Sequence, residues 1–170
     1  MDTSNNTKQT VTTTASEFEI IHLEKTKKVC GLCEKFSTVK AEQNDLMAII
    51  SCEGACLRGE ISRRVANRIC FENPKDNIAR VCIGGAFTKD TGQRNMVRKA
   101  KRVIALEGCV IECASRMMKG VIPNLKPELI FVDQFYTFNK NLFAINDVTE
   151  DELIKFTDEA FGKIKDIIGI

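Results

Sequence analysis

KRVIALEGCVIECASRMMKG, Lys101 to Gly120, changes its hydrophobic period part-way along. Val103 to Leu106 is an unbroken apolar run with two basic residues before it and Glu107-Gly108 after it, the pattern of a short strand covered on both faces. Ile111, Ala114, Met117 and Met118 then recur at helical spacing, with Gly120 as a stop. A buried strand running straight into a helix is the unit of a parallel α/β sheet. On this reading Cys109 and Cys113 stand four residues apart on one helix face, in its first turns. The partial positive charge and free N–H groups of a helix start favour thiolate over thiol.

Working outward, the same arrangement precedes it. Leu46 to Ile50 (LMAII) reads as a strand and runs into Ser51-Cys52-Glu53-Gly54-Ala55-Cys56, a second strand followed by C-x3-C. Ile61, Val65, Ala66, Ile69 and Cys70 follow at helical spacing, which makes Cys70 a core residue. Asn77 to Ile83 is a further strand with Cys82 near its end and a small-residue turn at Gly84-Gly85; it lacks the ending of a phosphate-binding loop. A short helix carries Met96, Val97 and Ala100. Beyond Pro123 and Pro127, Leu129 to Val132 is the fourth strand, and Leu142 to Ile145 is a candidate fifth. Thr149 and Glu152 form a capping box for a last amphipathic helix. Strands alternating with helices predict a three-layer α/β sandwich, Rossmann-like, with a mainly parallel sheet of four to five strands. Ligands bind such sheets beyond the carboxyl ends of the strands, where Cys52, Cys82 and Cys109 all fall.

The 170 residues suffice for one domain with a substantial core. Residues 1–16, rich in Thr, Ser and Asn, read as a mobile polar tail, and 17–170 as a single α/β metal-binding domain. Phe18, Ile20, Ile21 and Leu23 are candidates for an added strand or a packed segment. No stretch has the apolar core of a signal peptide or the length of a membrane span, so a cytoplasmic location is expected. Eight cysteines in such a chain point to metal or redox chemistry rather than structural disulfides. The single His22 lies outside every cysteine-rich stretch, which argues against Cys-His catalysis and mixed Cys/His zinc fingers. Cys30-Gly-Leu-Cys33 suits half of a metal site or a dithiol pair; a thioredoxin-like placement is disfavoured because Glu24 to Lys28 is a poor strand. The stretch from Arg58 to Arg102 is basic and the chain after Glu107 acidic. Aromatic content of 6% with no interleaved basic pattern gives no support for nucleic-acid binding.

Ser51-Cys52-Glu53-Gly54-Ala55 with Gly59-Glu60-Ile61, Arg80-Val81-Cys82-Ile83-Gly84, and Ile104-Ala105-Leu106-Glu107-Gly108-Cys109 with Cys113-Ala114 together resemble the DGC-domain family. That family is named for an Asp-Gly-Cys motif and described as zinc-binding; here Glu107 stands in place of the Asp. The resemblance implies a thiolate metal site made from Cys52, Cys82, Cys109 and Cys113, with Cys56, Cys30 and Cys33 as additional candidates. Sulfur ligation suits zinc and iron–sulfur clusters alike. Three functions stay open from the residues: a zinc-binding protein, extending to metal handling or sensing since it has thiols to spare; an iron–sulfur protein of an anaerobe; and a thiol redox or sulfur-transfer enzyme.

Overall fold

A computed structural model describes residues 20–24, 27–72 and 75–170. The polar tail, Phe18 and part of the segment before Cys30 lie outside the described residues. Four strands, β1 (Met47–Ser51), β2 (Ile78–Arg80), β3 (Arg102–Glu107) and β4 (Glu128–Phe131), form one sheet in the order β2-β1-β3-β4. Every pairing is parallel. Among the described residues six α-helices accompany them: α1 (Gly31–Ala41), α2 (Leu57–Asn67), α3 (Ile83–Thr88), α4 (Gly92–Lys99), α5 (Cys113–Val121) and α6 (Glu150–Ile168). Among the described residues no helix is long and apolar enough to cross a membrane.

The apolar runs read as doubly covered strands are that. Alternate residues of β1 and β3 enter two separate cores, as the period of two requires. Met47, Ile49, Ile104 and Leu106 pack with Leu57, Ile61 and Val65 of α2 and Leu153, Phe156 and Ile164 of α6. Ala48, Ile50, Val103 and Ala105 face the other way, against α3, α4 and α5, with Phe36 of α1 at the margin. Two helical layers thus enclose the sheet, as expected of the three-layer sandwich.

Several local expectations change. The helix after β3 starts at Cys113, not Cys109. Two contacts explain the delay. A Cβ on Gly108 would lie 2.9 Å from the Arg58 carbonyl carbon and 3.0 Å from the Gly59 nitrogen, so the chain leaves β3 pressed against the start of α2. The buried Glu107 carboxylate then accepts the backbone N–H groups of Ala114 (3.2 Å) and Ser115 (2.7 Å), which fixes the first turn there. Cys109 and Cys113 therefore do not share a helix face, and Ile111 is exposed rather than part of an apolar stripe. Gly120 lies within α5, whose cap is Ile122.

The strand expected over Asn77 to Ile83 shortens to Ile78–Arg80, and Gly84-Gly85 fall inside α3 instead of forming a turn. Leu142 to Ile145 gives a single antiparallel bridge, Cys56 with Ala144, before a 3-10 turn, so the described sheet has four strands. Ile20, Ile21 and Leu23 are exposed and form no strand. The capping box of α6 is present, with Thr149 Oγ1 accepting from the Glu152 N–H and the Glu152 carboxylate accepting from the Thr149 N–H.

Candidate functional site

Strand order locates the crevice. From β1 the chain moves outward to β2 by way of α2 on one face, whereas from β3 it moves the opposite way to β4 by way of α5 on the other face. The loops leaving β1 and β3 therefore part company between two adjacent strands. That divergence is the topological switch point at which open α/β sheets bind ligands. One lip carries Cys52-x3-Cys56 and the other Cys109-x3-Cys113.

Backbone contact draws the lips together. A Cβ on Gly59 would lie 2.7–2.9 Å from backbone atoms of Gly54, and Gly108 meets Arg58–Gly59 as described above. Three segments thus touch backbone to backbone, which only glycine permits. Cys52 follows β1 directly, and its N–H donates to the Leu106 carbonyl of β3 at 2.9 Å. Its side chain is buried. Burial pushes that thiol's pKa up, opposed by the amides of Gly54 and Gly108, one from each lip; Cys113 and Glu107 add smaller electrostatic effects in the raising direction. A methyl on Gly54 would sit 3.7 Å from the Cys52 Sγ and 3.8 Å from the Cys56 Sγ, so the two sulfurs flank the same glycine.

Cys56 is the N-cap of α2 and half-buried; Cys113 is the first residue of α5 and exposed; Cys109 is half-buried in the loop, where its carbonyl accepts from the Glu112 N–H at 3.3 Å. Behind Cys56 stands Tyr136, the sole tyrosine of a chain without tryptophan. It is 5% exposed, and its hydroxyl has no hydrogen-bond partner among the described residues. Burial first, then the Asp133 carboxylate, pushes the phenol's pKa up; Arg58 acts the other way and Cys56 is a further neighbour. Arg58 pairs with Asp133 at 3.5 Å. A buried hydroxyl without a partner is uncommon and costly, and it calls for an acceptor.

Cys30, Cys33 and Cys82 gather beside another edge of the sheet. Cys82 follows β2 and is the exposed N-cap of α3, while Cys30 is the exposed N-cap of α1. Cys30 closes no capping hydrogen bond, but the amide and then the thiol of Cys33 hold its pKa below the ordinary thiol value. Cys33 shifts up, because its thiol donates to Cys30, because it is partly desolvated, and because Cys30 and Cys82 would repel its thiolate. Cys70 is core, as its stripe implied, and burial pushes its thiol up to about 12.

The sulfur-rich donor set suits a thiophilic ion. As the side chains stand, no three Cys, His, Asp or Glu residues among those described converge closely enough to hold one. The Cys52 and Cys56 sulfurs flank one glycine instead, Cys33 and Cys82 share a cavity wall, and exposed Cys113 is able to turn about a single side-chain bond.

A parallel α/β sheet whose switch point is lined by two C-x3-C loops defines a thiol-rich α/β protein. The chain belongs to the DGC-domain family, whose model matches residues 48–159. Comparison with curated proteins and with solved structures gave no match. Cys30, Cys33 and α1 precede the matched region. Sequence reasoning missed Tyr136, the Glu107 cap and the partners of α1. Only Glu107 left a signal, as the acid preceding Gly-Cys.

Proposed function

We propose that the protein binds a metal ion through thiolates, zinc being the ion favoured, with Cys52, Cys56, Cys109 and Cys113 as its ligands. The observation that carries this reading is the position of both C-x3-C loops on opposite lips of one switch point, with the Cys52 and Cys56 sulfurs already against one glycine. Cys56 replaces Cys82 in the set implied by family resemblance, since Cys82 follows the outer strand β2 and faces Cys33. The unpartnered Tyr136 hydroxyl supports the choice: a metal-bound Cys56 thiolate offers it the acceptor it lacks. Closing the set involves rotation of the exposed Cys113 thiol, a change between staggered side-chain states. The geometry suits reversible loading, and hence metal handling or sensing.

Elemental analysis and a visible spectrum of protein purified without oxygen test the proposal. Stoichiometric zinc in a colourless protein is expected, and removing it with a chelator should alter the emission of Tyr136. Iron with a coloured, sulfide-containing cluster would replace zinc by the cluster alternative, and protein free of both would refute metal binding.

A further inference from the structure

The sulfur chemistry left over by the metal reading lies at α1. Cys30 caps the N-terminus of this helix and Cys33 lies in its first turn, so the two cysteines are neighbours at one helix end. The helix is fastened to the domain by a buried polar relay. Ser37 donates through Oγ to the Cys33 carbonyl (2.6 Å) and accepts from Gln93 Nε2 (2.7 Å), while Gln93 Oε1 accepts the Cys82 N–H (2.8 Å). Ser37 is fully buried and Gln93 nearly so. The Glu34 carboxylate accepts a further hydrogen bond from the Gly92 N–H at 2.9 Å, where a Cβ on Gly92 would collide with Ser37. The dithiol is thereby held in register with Cys82 at the domain surface.

Between them lies an open cavity of about 530 Å³, with Cys33 and Cys82 in its wall beside Leu32, Phe36, Phe71 and Arg80. Leu32 and Phe71 are large apolar side chains left 81% and 61% exposed at its mouth. A cavity of this size admits a small organic molecule, and its thiols mark the bond on which they would act.

We propose that this cavity and the adjoining start of α1 form a thiol–disulfide exchange site for small organic disulfides, with exposed Cys30 beside the cavity as the attacking thiol and Cys33 in its wall as the resolving thiol. The Cys30 thiolate attacks one sulfur of R–S–S–R, forming the mixed disulfide Cys30–S–S–R and expelling one RS⁻, which takes a proton from water. Cys33 gives its proton to water and attacks the Cys30 sulfur, forming the Cys30–Cys33 disulfide and expelling the second RS⁻. One disulfide breaks and one forms; two electrons pass from the protein dithiol to the substrate. The apolar wall seats R while Cys33, in the cavity wall and in the first helical turn after Cys30, completes the exchange. These thiols are separate from the four proposed to hold metal, so the two proposals stand or fall apart.

The test uses the full chain, reduced and in its purified metal state, incubated with bis(2-hydroxyethyl) disulfide. Peptide mapping should show Cys30 joined to Cys33, both halves of the reagent released as free thiol, and metal content unchanged. Cys33→Ser should release only one half and accumulate the mixed disulfide on Cys30, and Cys30→Ser should abolish exchange at α1. Serine is a good helix cap, so Cys30→Ser should retain its fold; if either variant fails to fold, the wild-type map alone decides. Absence of a Cys30–Cys33 link in wild type, or modification of Cys109 or Cys113 in preference to Cys30, would overturn the proposal. Loss of metal on oxidation would overturn the separation of the two sites.

Discussion

Glu107 is a fully buried carboxylate at the point where β3 ends, and it is bound by the first free amides of α5. The two hydrogen bonds satisfy N–H groups of the first turn that have no partner within the helix. Glu107→Ala would leave two buried N–H groups unpaired and should lower stability by about 1–3 kcal/mol, read as a lower midpoint in denaturant unfolding. An unchanged midpoint would remove the carboxylate from its capping role. The residue was visible in the sequence as an acid before Gly-Cys, but its partners lie seven and eight positions on, across a loop whose course local periodicity does not encode.

Glu60 carries a separate pH signature. Hydrogen bonds from Arg63 (2.7 Å) and Arg64 (2.7 Å) hold its carboxyl below the ordinary Glu value of 4.5. A group whose folded pKa is depressed stabilises the fold above its unfolded pKa and loses that contribution as pH falls through the folded value. Acid unfolding of Glu60→Gln should therefore show a shallower loss of stability below about pH 4.5 than wild type. Parallel acid limbs would contradict the ion pairing. The effect should be modest, because the Arg63 side chain is 41% exposed and salt screens it.

Elements converge where Gly54, Gly59 and Gly108 touch. Gly59→Ala should cost about 1–3 kcal/mol, since its new methyl meets backbone rather than a yielding side chain. By separating the lips it should also weaken metal retention, measured by chelator competition; full stability together with full retention would show that the contact is dispensable. Sequence periodicity located β1, β3, β4, α2 and α6 because each has a long apolar stripe or run. It placed the start of α5 four residues early because Ile111 fits the helical stripe of Ala114, Met117 and Met118, whereas the contact at Gly108 keeps Ile111 in an exposed loop. It left α1 unassigned for a related reason: its one fully buried residue is Ser37, a polar link in the relay to Gln93.

At the scale of the whole molecule, strand order decides which cysteines are neighbours. The sequence indicated that strand ends gather on one edge, but not that β1 stands between β2 and β3, nor that the chain reverses its direction across the sheet between β1 and β3. Those facts depend on pairings between distant segments. They pair Cys52 and Cys56 across one crevice from Cys109 and Cys113, and leave Cys82 to Cys33 and the relay from α1. Metal content of Cys56→Ser and Cys82→Ser, purified side by side without oxygen, tests that partition most directly. The expected result is loss of zinc from Cys56→Ser with wild-type zinc in Cys82→Ser; zinc lost from Cys82→Ser and kept by Cys56→Ser would contradict it.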